Sequence, residues 1–171
     1  YEESFKMPFV IKSPGTIIPG TISDDKIMNI DFAPTLLDFA GLSVPEEMQG
    51  RSFKNTFTKN SDTKRNAVYY HYYEYPIWHN VQPHYGVRTD KYKLIHFYYS
   101  MDEWELYDMD ADPHEMNNIY ENADPVLISK LKFKLDSLKK YYGDTSSIKA
   151  MISMTDTVIQ RVYNEPVKEI K

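Results

Sequence analysis

HYGVRTDKYKLIHFYYSMDEWELYDMDADPHEMNNIY, residues His84–Tyr120, is the stretch on which the fold turns. His84–Thr89 and Tyr92–Tyr98 are rich in Tyr, Val, Ile and Phe, the side chains that suit a pleated, half-buried surface. Asp90-Lys91 between them has the length of a two-residue hairpin loop, although it lacks the glycine that tight hairpins favour. After the polar Ser100–Glu103, Trp104–Tyr107 supplies a third strand. Asp108-Met109-Asp110-Ala111-Asp112-Pro113 then stops the sheet, because aspartate prefers turns and proline cannot donate to a ladder. A three-stranded meander is expected.

Working outward, Ala67–Tyr75 (AVYYHYYEY) is a fourth, strongly aromatic strand, joined to the meander by the loop Pro76–Pro83 with Trp78 and His79. On the other side, Asp124-Pro125 has the form of a helix start, with aspartate as cap and proline in the first turn. Leu127, Leu131, Leu135, Leu138 and Tyr142 make one apolar stripe, five lysines fill much of the remainder, and Gly143 ends the helix. A four-stranded antiparallel sheet packed by one long helix, an α+β unit, is the simplest product.

Further out the signals weaken. Met7–Lys12 (MPFVIK) is a short apolar run of the kind buried on both faces of a sheet. Lys26–Ile30 is a shorter strand candidate. Asp31 reads as the cap of a helix through Ala40, with Pro34 in the first turn and Gly41 just past the end. Asn55–Asn66 is polar and without apolar period, as in a linker. The tail Thr145–Lys171 has the weak periodicity of one more helix.

Composition narrows the function classes. The chain has 171 residues, 42% hydrophobic and 26% charged, which is ordinary for a folded domain. A net charge of −5 argues against nucleic acid or an anionic membrane as partner. No apolar run approaches a membrane span of about 20 residues. With no cysteine, disulfides, thiolate metal sites and thiol nucleophiles are all excluded. Tyrosine is abundant, at 15 residues, which serves a sheet and a sugar-contacting surface equally well.

Of the five histidines, no pair has the helical spacing of a zinc-protease motif. His71, His96 and His114 read as polar-tipped residues of the sheet or its rim. His79 and His84 flank the loop that also holds Trp78, where a sugar or anion contact is the functional reading. Asp108, Asp110 and Asp112 have calcium-loop spacing but lack the sixth-position glycine and the twelfth-position glutamate, so they read as turn caps. There is no G-x-S-x-G and no glycine-rich phosphate loop. The tyrosines of Ala67–Tyr75 suit either packing under the helix or stacking on sugars.

Several segments, in order, resemble the C-terminal region of type I sulfatases. Tyr1-Glu2-Glu3-Ser4 with Met7-Pro8-Phe9-Val10 is similar to that family's Y-E-E-S segment. Asp31–Gly41 resembles its D-x-x-P-T-L-L-D-x-A-G helix, and Gln49-Gly50-Arg51-Ser52 its Q-G-x-S segment. Tyr85-Gly86-Val87-Arg88-Thr89, Tyr92-Lys93-Leu94-Ile95, Glu105-Leu106-Tyr107-Asp108, Asp112-Pro113 and Glu115-Met116-Asn117-Asn118 resemble its small C-terminal subdomain. The run His79–Tyr107 looks most like glycosaminoglycan-type members, N-acetylglucosamine-6-sulfatases above all.

The resemblance implies that residues 1–54 end the α/β catalytic domain, 55–66 link, 67–143 form the small subdomain and 144–171 extend it. It also implies a parent that hydrolyses sulfate esters with calcium and a formylglycine, and that is periplasmic, secreted or lysosomal. The formylglycine motif is missing from this sequence, and the family's calcium and sulfate ligands precede the Y-E-E segment. The chain is therefore expected to be inactive alone, with no catalytic or metal residue of its own. His79, His84 and Arg88 are its expected contacts to a sulfated carbohydrate, Arg88 being as readily a structural ion-pair residue. The truncated surface is expected to expose apolar side chains or to pair with a second copy of the chain as a homo-oligomer. A stand-alone carbohydrate-binding module and a purely structural subdomain are the alternatives.

Overall fold

A computed structural model describes residues 1–57, 64–76 and 79–164. Two compact units divide at Val68 and Tyr69.

The first unit holds a one-turn helix α1 (Glu2–Phe5) and the helix α2 (Phe32–Phe39), with a short 3-10 turn at Asn29–Asp31 leading into α2. Its cohesion comes from a zipper between α2 and the Gln49–Lys54 strap. Asp31 is buried and accepts four hydrogen bonds: from the Met28 amide at 2.7 Å, the Arg51 amide at 3.0 Å, and the two Arg65 guanidinium nitrogens at 2.6 and 2.9 Å. One turn on, the Thr35 hydroxyl donates to the Asp31 carbonyl at 2.7 Å and accepts from the Phe53 amide at 3.0 Å. A further turn on, Asp38 accepts from the Ser52 hydroxyl at 2.5 Å and pairs with Lys54 at 3.1 Å. Positions 31, 35 and 38 lie on one helix face, so the strap runs along it. Gly50 is what lets the strap lie so close. A Cβ there would stand 1.9 Å from the Ile30 carbonyl oxygen. Phe9, Phe32 and Phe53 pack edge to face beside the zipper, with centroids 5.0–5.7 Å apart.

Three expectations are corrected in this unit. Met7–Lys12 is not a strand: it joins no ladder, and Val10 is 92% exposed. Lys26–Ile30 is coil ending in the 3-10 turn. The Asp31 side chain does not cap α2, because its oxygens are taken by the strap, Arg65 and Met28. The expected linker is only partly described, residues 58–63 lying outside the described residues. The 3-10 turn Lys54–Phe57 runs into its start, and Arg65 near its end is a buried ion-pair partner.

The second unit is built on the meander. Strands β1 (Ala67–Tyr72), β2 (His84–Thr89), β3 (Tyr92–Phe97) and β4 (Glu103–Asp108) lie in sequence order, and the pairings β2–β3 and β3–β4 are antiparallel. Helix α3 (Pro125–Tyr141) has Asp124 as cap, its carboxylate accepting from the Val126 amide at 2.8 Å. A last helix, α4 (Ile148–Asn164), buries Met151 and Thr155, and its Asp156 accepts from the Tyr99 hydroxyl at 2.6 Å. No helix among the described residues is long and apolar enough to cross a membrane.

Register divides the sheet into two faces. Val87, Leu94 and Leu106 fall on one, all fully buried, with Leu131 and Leu135 the buried residues of α3. His84, Ile95, Phe97, Lys93 and Tyr107 fall on the other, where Ile95, Phe97, Tyr107 and Met109 form a core cluster with Tyr70 against it. Gly86 leaves the room that the Tyr70 phenol fills, since a Cβ would stand 2.6 Å from its oxygen.

The segment after β4 is a clasp. Asp108 accepts from the Asp110 and Ala111 amides at 3.1 and 3.3 Å, and Asp112 from the Asn117 amide at 2.8 Å. Asn118 accepts from the Leu106 amide and donates to the Trp104 carbonyl, at 3.0 and 3.1 Å, occupying part of the open edge of β4. Glu115 turns inward at φ 55° and meets Lys93 at 2.7 Å, both side chains being fully buried.

Candidate functional site

The histidine-bearing entrance to β2 was the expected site, and the structure gives its parts different surroundings. His84 begins β2 on the face away from Val87 and Leu94, and it is buried. Its Nδ1 lies 2.8 Å from the Gln82 carbonyl, which can only accept, so Nδ1 carries a proton. The ring stacks on Tyr72 at 5.3 Å and leans on Phe97 at 4.8 Å. Burial pushes the pKa of His84 below the ordinary histidine value, against the opposing pull of the Gln82 carbonyl. The ring is therefore neutral at pH 7, and its Nε2 is an acceptor. The neighbouring Tyr72 hydroxyl is buried without a hydrogen-bond partner among the described residues, and burial followed by the charge of Glu74 raises its pKa.

His79 is exposed, while Ile77 and Trp78 of the same loop lie outside the described residues. Arg88 shares a strand face with His84 but stands four residues further along β2, about 13 Å away. Its guanidinium donates to the carbonyls of Thr89 and Asp90, the latter at 2.8 Å, and so holds the β2–β3 turn. The three residues are thus a buried acceptor, a surface imidazole and a turn-holding guanidinium, and His84 and Arg88 do not converge on one point.

On the Val87 and Leu94 face, where rim polarity is the expectation from sequence, the structure assembles two Tyr–His–Asp chains. His71 Nδ1 is 2.6 Å from Asp144, and its Nε2 is 3.0 Å from the Tyr98 hydroxyl. His96 repeats the pattern, with Nε2 3.0 Å from Asp102 and Nδ1 2.8 Å from the Tyr85 hydroxyl. Burial lowers the pKa of both histidines more than the aspartates raise it. Burial opposes ionisation of Asp144, but hydrogen bonds from Tyr69 and His71 and the charge of Lys139 hold it below the usual carboxylate range. Each neutral ring donates to its carboxylate and accepts from its tyrosine. Burial also pushes the Tyr85 hydroxyl up to about 12. The His96 ring stacks on Trp104 at 4.1 Å, and Lys132 lies 4.0 Å above that indole. Burial raises the pKa of the Tyr98 hydroxyl as well, so neither chain holds a phenolate at pH 7. His71 and Asp144 are 73 residues apart in sequence, which no local motif could have signalled.

Among the described residues no group of three or more His, Asp or Glu side chains is placed to hold a metal ion. The calcium expected of the parent does not fit these residues. Of the β4-turn aspartates, the carboxylates of Asp108 and Asp112 are engaged with backbone amides.

Comparison with known proteins accounts for the motifs. Residues 1–141 match the family N-sulphoglucosamine sulphohydrolase, C-terminal. Over 148 residues the chain is 50% identical to an N-acetylglucosamine-6-O-sulfatase of Bacteroides thetaiotaomicron, covering 84% of this chain and 26% of that protein. The N-acetylglucosamine-6-sulfatase of Bos taurus is 30% identical, with 85% and 31% covered. Among solved structures, one determined in complex with its substrate D-glucosamine-2-N,6-O-disulfate superposes with a TM-score of 0.77 at 47% identity, covering 81% of this chain and 29% of the other. The chain thus spans between a quarter and a third of the length of these relatives. The matched span, residues 1–141, contains the clasps already described: Asp31, Thr35 and Asp38 with the Gly50 strap, and Lys93 with Glu115 and Asn118. By that match the chain belongs to the N-sulphoglucosamine sulphohydrolase C-terminal family, the C-terminal region of sulfatases.

Proposed function

We propose that this chain is the C-terminal portion of a sulfatase that hydrolyses a sulfate ester on an amino sugar of the glycosaminoglycan type. The observation that carries this reading is the 50% identity to an N-acetylglucosamine-6-O-sulfatase, extending over 84% of the chain. In this reading the formylglycine and the calcium belong to the rest of the parent, which works in a periplasmic, secreted or lysosomal setting. The portion described here closes one side of the pocket and is inactive alone. Calcium and formylglycine would supply the electrophile and the nucleophile. The residues of this chain bind and orient the sugar.

His84 has a specific part in that role. With Nδ1 committed to Gln82, Nε2 accepts a hydrogen bond, and the group it suits is a sugar hydroxyl rather than a sulfate oxygen. His79 is exposed and can donate. Arg88 reaches a sulfate only through N–H groups not committed to the turn. The test is release of sulfate from 6-O-sulfated N-acetylglucosamine by the protein at its natural full length. The double variant His79→Ala with His84→Ala should raise KM about tenfold, with a smaller change in kcat. The burial of His84 favours a second reading, in which this subdomain only completes the fold. An unchanged KM in a folded variant would select that reading. The 171-residue chain alone should release no sulfate even with calcium added, and turnover by it would overturn the division of labour.

A further inference from the structure

His79 and His84 depend on the loop Pro76–Pro83, and one short segment touches both ends of that loop. Tyr98-Tyr99-Ser100 follows β3 directly. The Tyr98 amide donates to the Pro83 carbonyl at 3.4 Å, and the Ser100 hydroxyl donates to the Gln82 side-chain oxygen at 3.0 Å. Gln82 is also the residue whose carbonyl accepts from His84 Nδ1. At the other end of the loop, the half-buried Tyr99 ring lies against the Tyr75 ring, with centroids 5.6 Å apart. β3 ends at Phe97, so Tyr99 stands outside the ladder. Its hydroxyl is held by α4, where Asp156 accepts it at 2.6 Å. The helix gives that carboxylate a fixed mount. Ser147, the residue before α4, accepts from the Ala150 amide at 3.2 Å, as a helix cap does. Asp144 just ahead of it is bonded by Tyr69 and His71. Met151 and Thr155, one turn apart, are buried, and Asp156 adjoins Thr155. α4 begins at Ile148, past the last residue of the family match, 141, so the family likeness assigns it no role.

We propose that Asp156 and Tyr99 are positioning residues: α4 braces the Tyr98–Ser100 segment and, through it, both ends of the loop that carries His79 and leads into His84. The proposal rests on the sulfated-sugar reading given under Proposed function and adds the element that keeps the sugar contacts in place. A hydrogen bond to a carboxylate is stronger than one between neutral groups, and it fixes the hydroxyl end of the Tyr99 ring. The ring is then a post against which Tyr75 rests. That bond, followed by burial and the charge of Asp156, pushes the Tyr99 hydroxyl up to about 12, so it remains a donor at neutral pH. Without the brace, the loop ends divide their time among several arrangements. Only the fraction in the binding arrangement takes the sugar, and apparent affinity falls in proportion to that fraction. The reacting groups lie elsewhere in the parent, so the bound complex turns over as before. The brace therefore acts on KM and leaves kcat in place.

The test uses the protein at its natural full length, with two readouts: hydrolysis of 6-O-sulfated N-acetylglucosamine, and hydrogen exchange of peptides covering residues 75–84. Tyr99→Phe deletes only the hydroxyl, Asp156→Ala removes the acceptor, and Asp156→Asn keeps an oxygen that accepts. Y99F and D156A should each raise KM about three- to tenfold with kcat little changed, and the double variant should be no worse than either, because both remove one bond. D156N should recover most of the loss. Exchange of the 75–84 peptides should quicken in Y99F and D156A, while that of β3 and β4 stays as in wild type. Unchanged exchange at 75–84 overturns the proposal, including the case in which D156A loosens α4 alone, since α4 would then only cover the sheet. So does D156N as impaired as D156A, or a loss confined to kcat. Quickened exchange with unchanged KM overturns it as well where H79A/H84A does raise KM. Quickened exchange in a protein that does not hydrolyse the 6-sulfate, or whose KM is indifferent to H79A/H84A, would retain the brace and remove the proposed sugar contacts instead.

Discussion

Asp31→Asn tests whether the buried clasp, rather than helix propensity, holds the first unit. The carboxylate is 1% exposed and faces four donors, two on each oxygen. An asparagine keeps the shape but replaces one oxygen with an NH2 group. Either the Met28 amide and one guanidinium N–H, or the Arg51 amide and the other, then meet a donor instead of an acceptor. An unsatisfied buried neutral donor costs about 1–3 kcal/mol and a charged one more, and breaking a buried ion pair by removing one partner costs about 3–5 kcal/mol. Both routes put the loss near 3–5 kcal/mol. Amide hydrogen exchange reads it locally: at a tenfold change per 1.4 kcal/mol, protection of Met28 and Arg51 should fall by roughly two to four orders of magnitude. The effect has a pH signature. Burial opposes ionisation of Asp31, but the Arg65 pair and the two backbone donors overcome it, and the folded-state pKa lies below the ordinary value. The stabilisation is complete above the unfolded pKa, about 3.9, and is lost as pH falls through the lower folded pKa. Wild type and D31N should converge in strong acid. Unchanged protection, or a difference independent of pH in that window, would refute the clasp.

Other expectations can be checked alongside. Gly50→Ala places a methyl against the Ile30 carbonyl and should lower the urea midpoint of the first unit, by an amount comparable to D31N and without its acid signature. Lys93→Met and Glu115→Leu should each cost about 3–5 kcal/mol, whereas the two together should recover most of that loss; strictly additive costs in this double-mutant cycle would contradict coupling. The folded pKa values of His71, His84 and His96 are all depressed by burial, so stability should be greatest above the unfolded value, about 6.5, and decline as pH falls from there toward the folded values. A melting temperature flat between pH 7.5 and roughly pH 5 would contradict buried neutral imidazoles.

The parts of the fold legible in sequence were those whose signals are local. The strands His84–Thr89 and Tyr92–Phe97 announce themselves by composition, and α3 by its cap and leucine stripe. Met7–Lys12 misled because a continuous apolar run does not say whether a neighbouring strand exists to pair with. Arg65 was hidden in a polar stretch, since a partner 34 residues away leaves no periodic trace. The same holds for His71 with Asp144. The family resemblance pointed to the right segments, but only the geometry showed that Asp31, Gly50 and Glu115 are there to close the chain on itself. Of the expected site, burial of His84 and the turn bonds of Arg88 were invisible to sequence, because alternation along β2 does not say which face meets a core.

Strand order has a consequence for the sequence of folding events. Each strand of the sheet lies beside its chain neighbour, so the loops closed in pairing are short and their entropic cost is low. The Asp31–Arg65 clasp must close a much longer loop. Pulse-labelled exchange during refolding should therefore find the β2–β3 amides protected before that of Arg51, and the reverse order would contradict this. On the ribosome the timing differs: the first unit must wait for Arg65 to emerge before its anionic centre is neutralised. Until then the Asp31 carboxylate lacks the Arg65 guanidinium, and water takes its place.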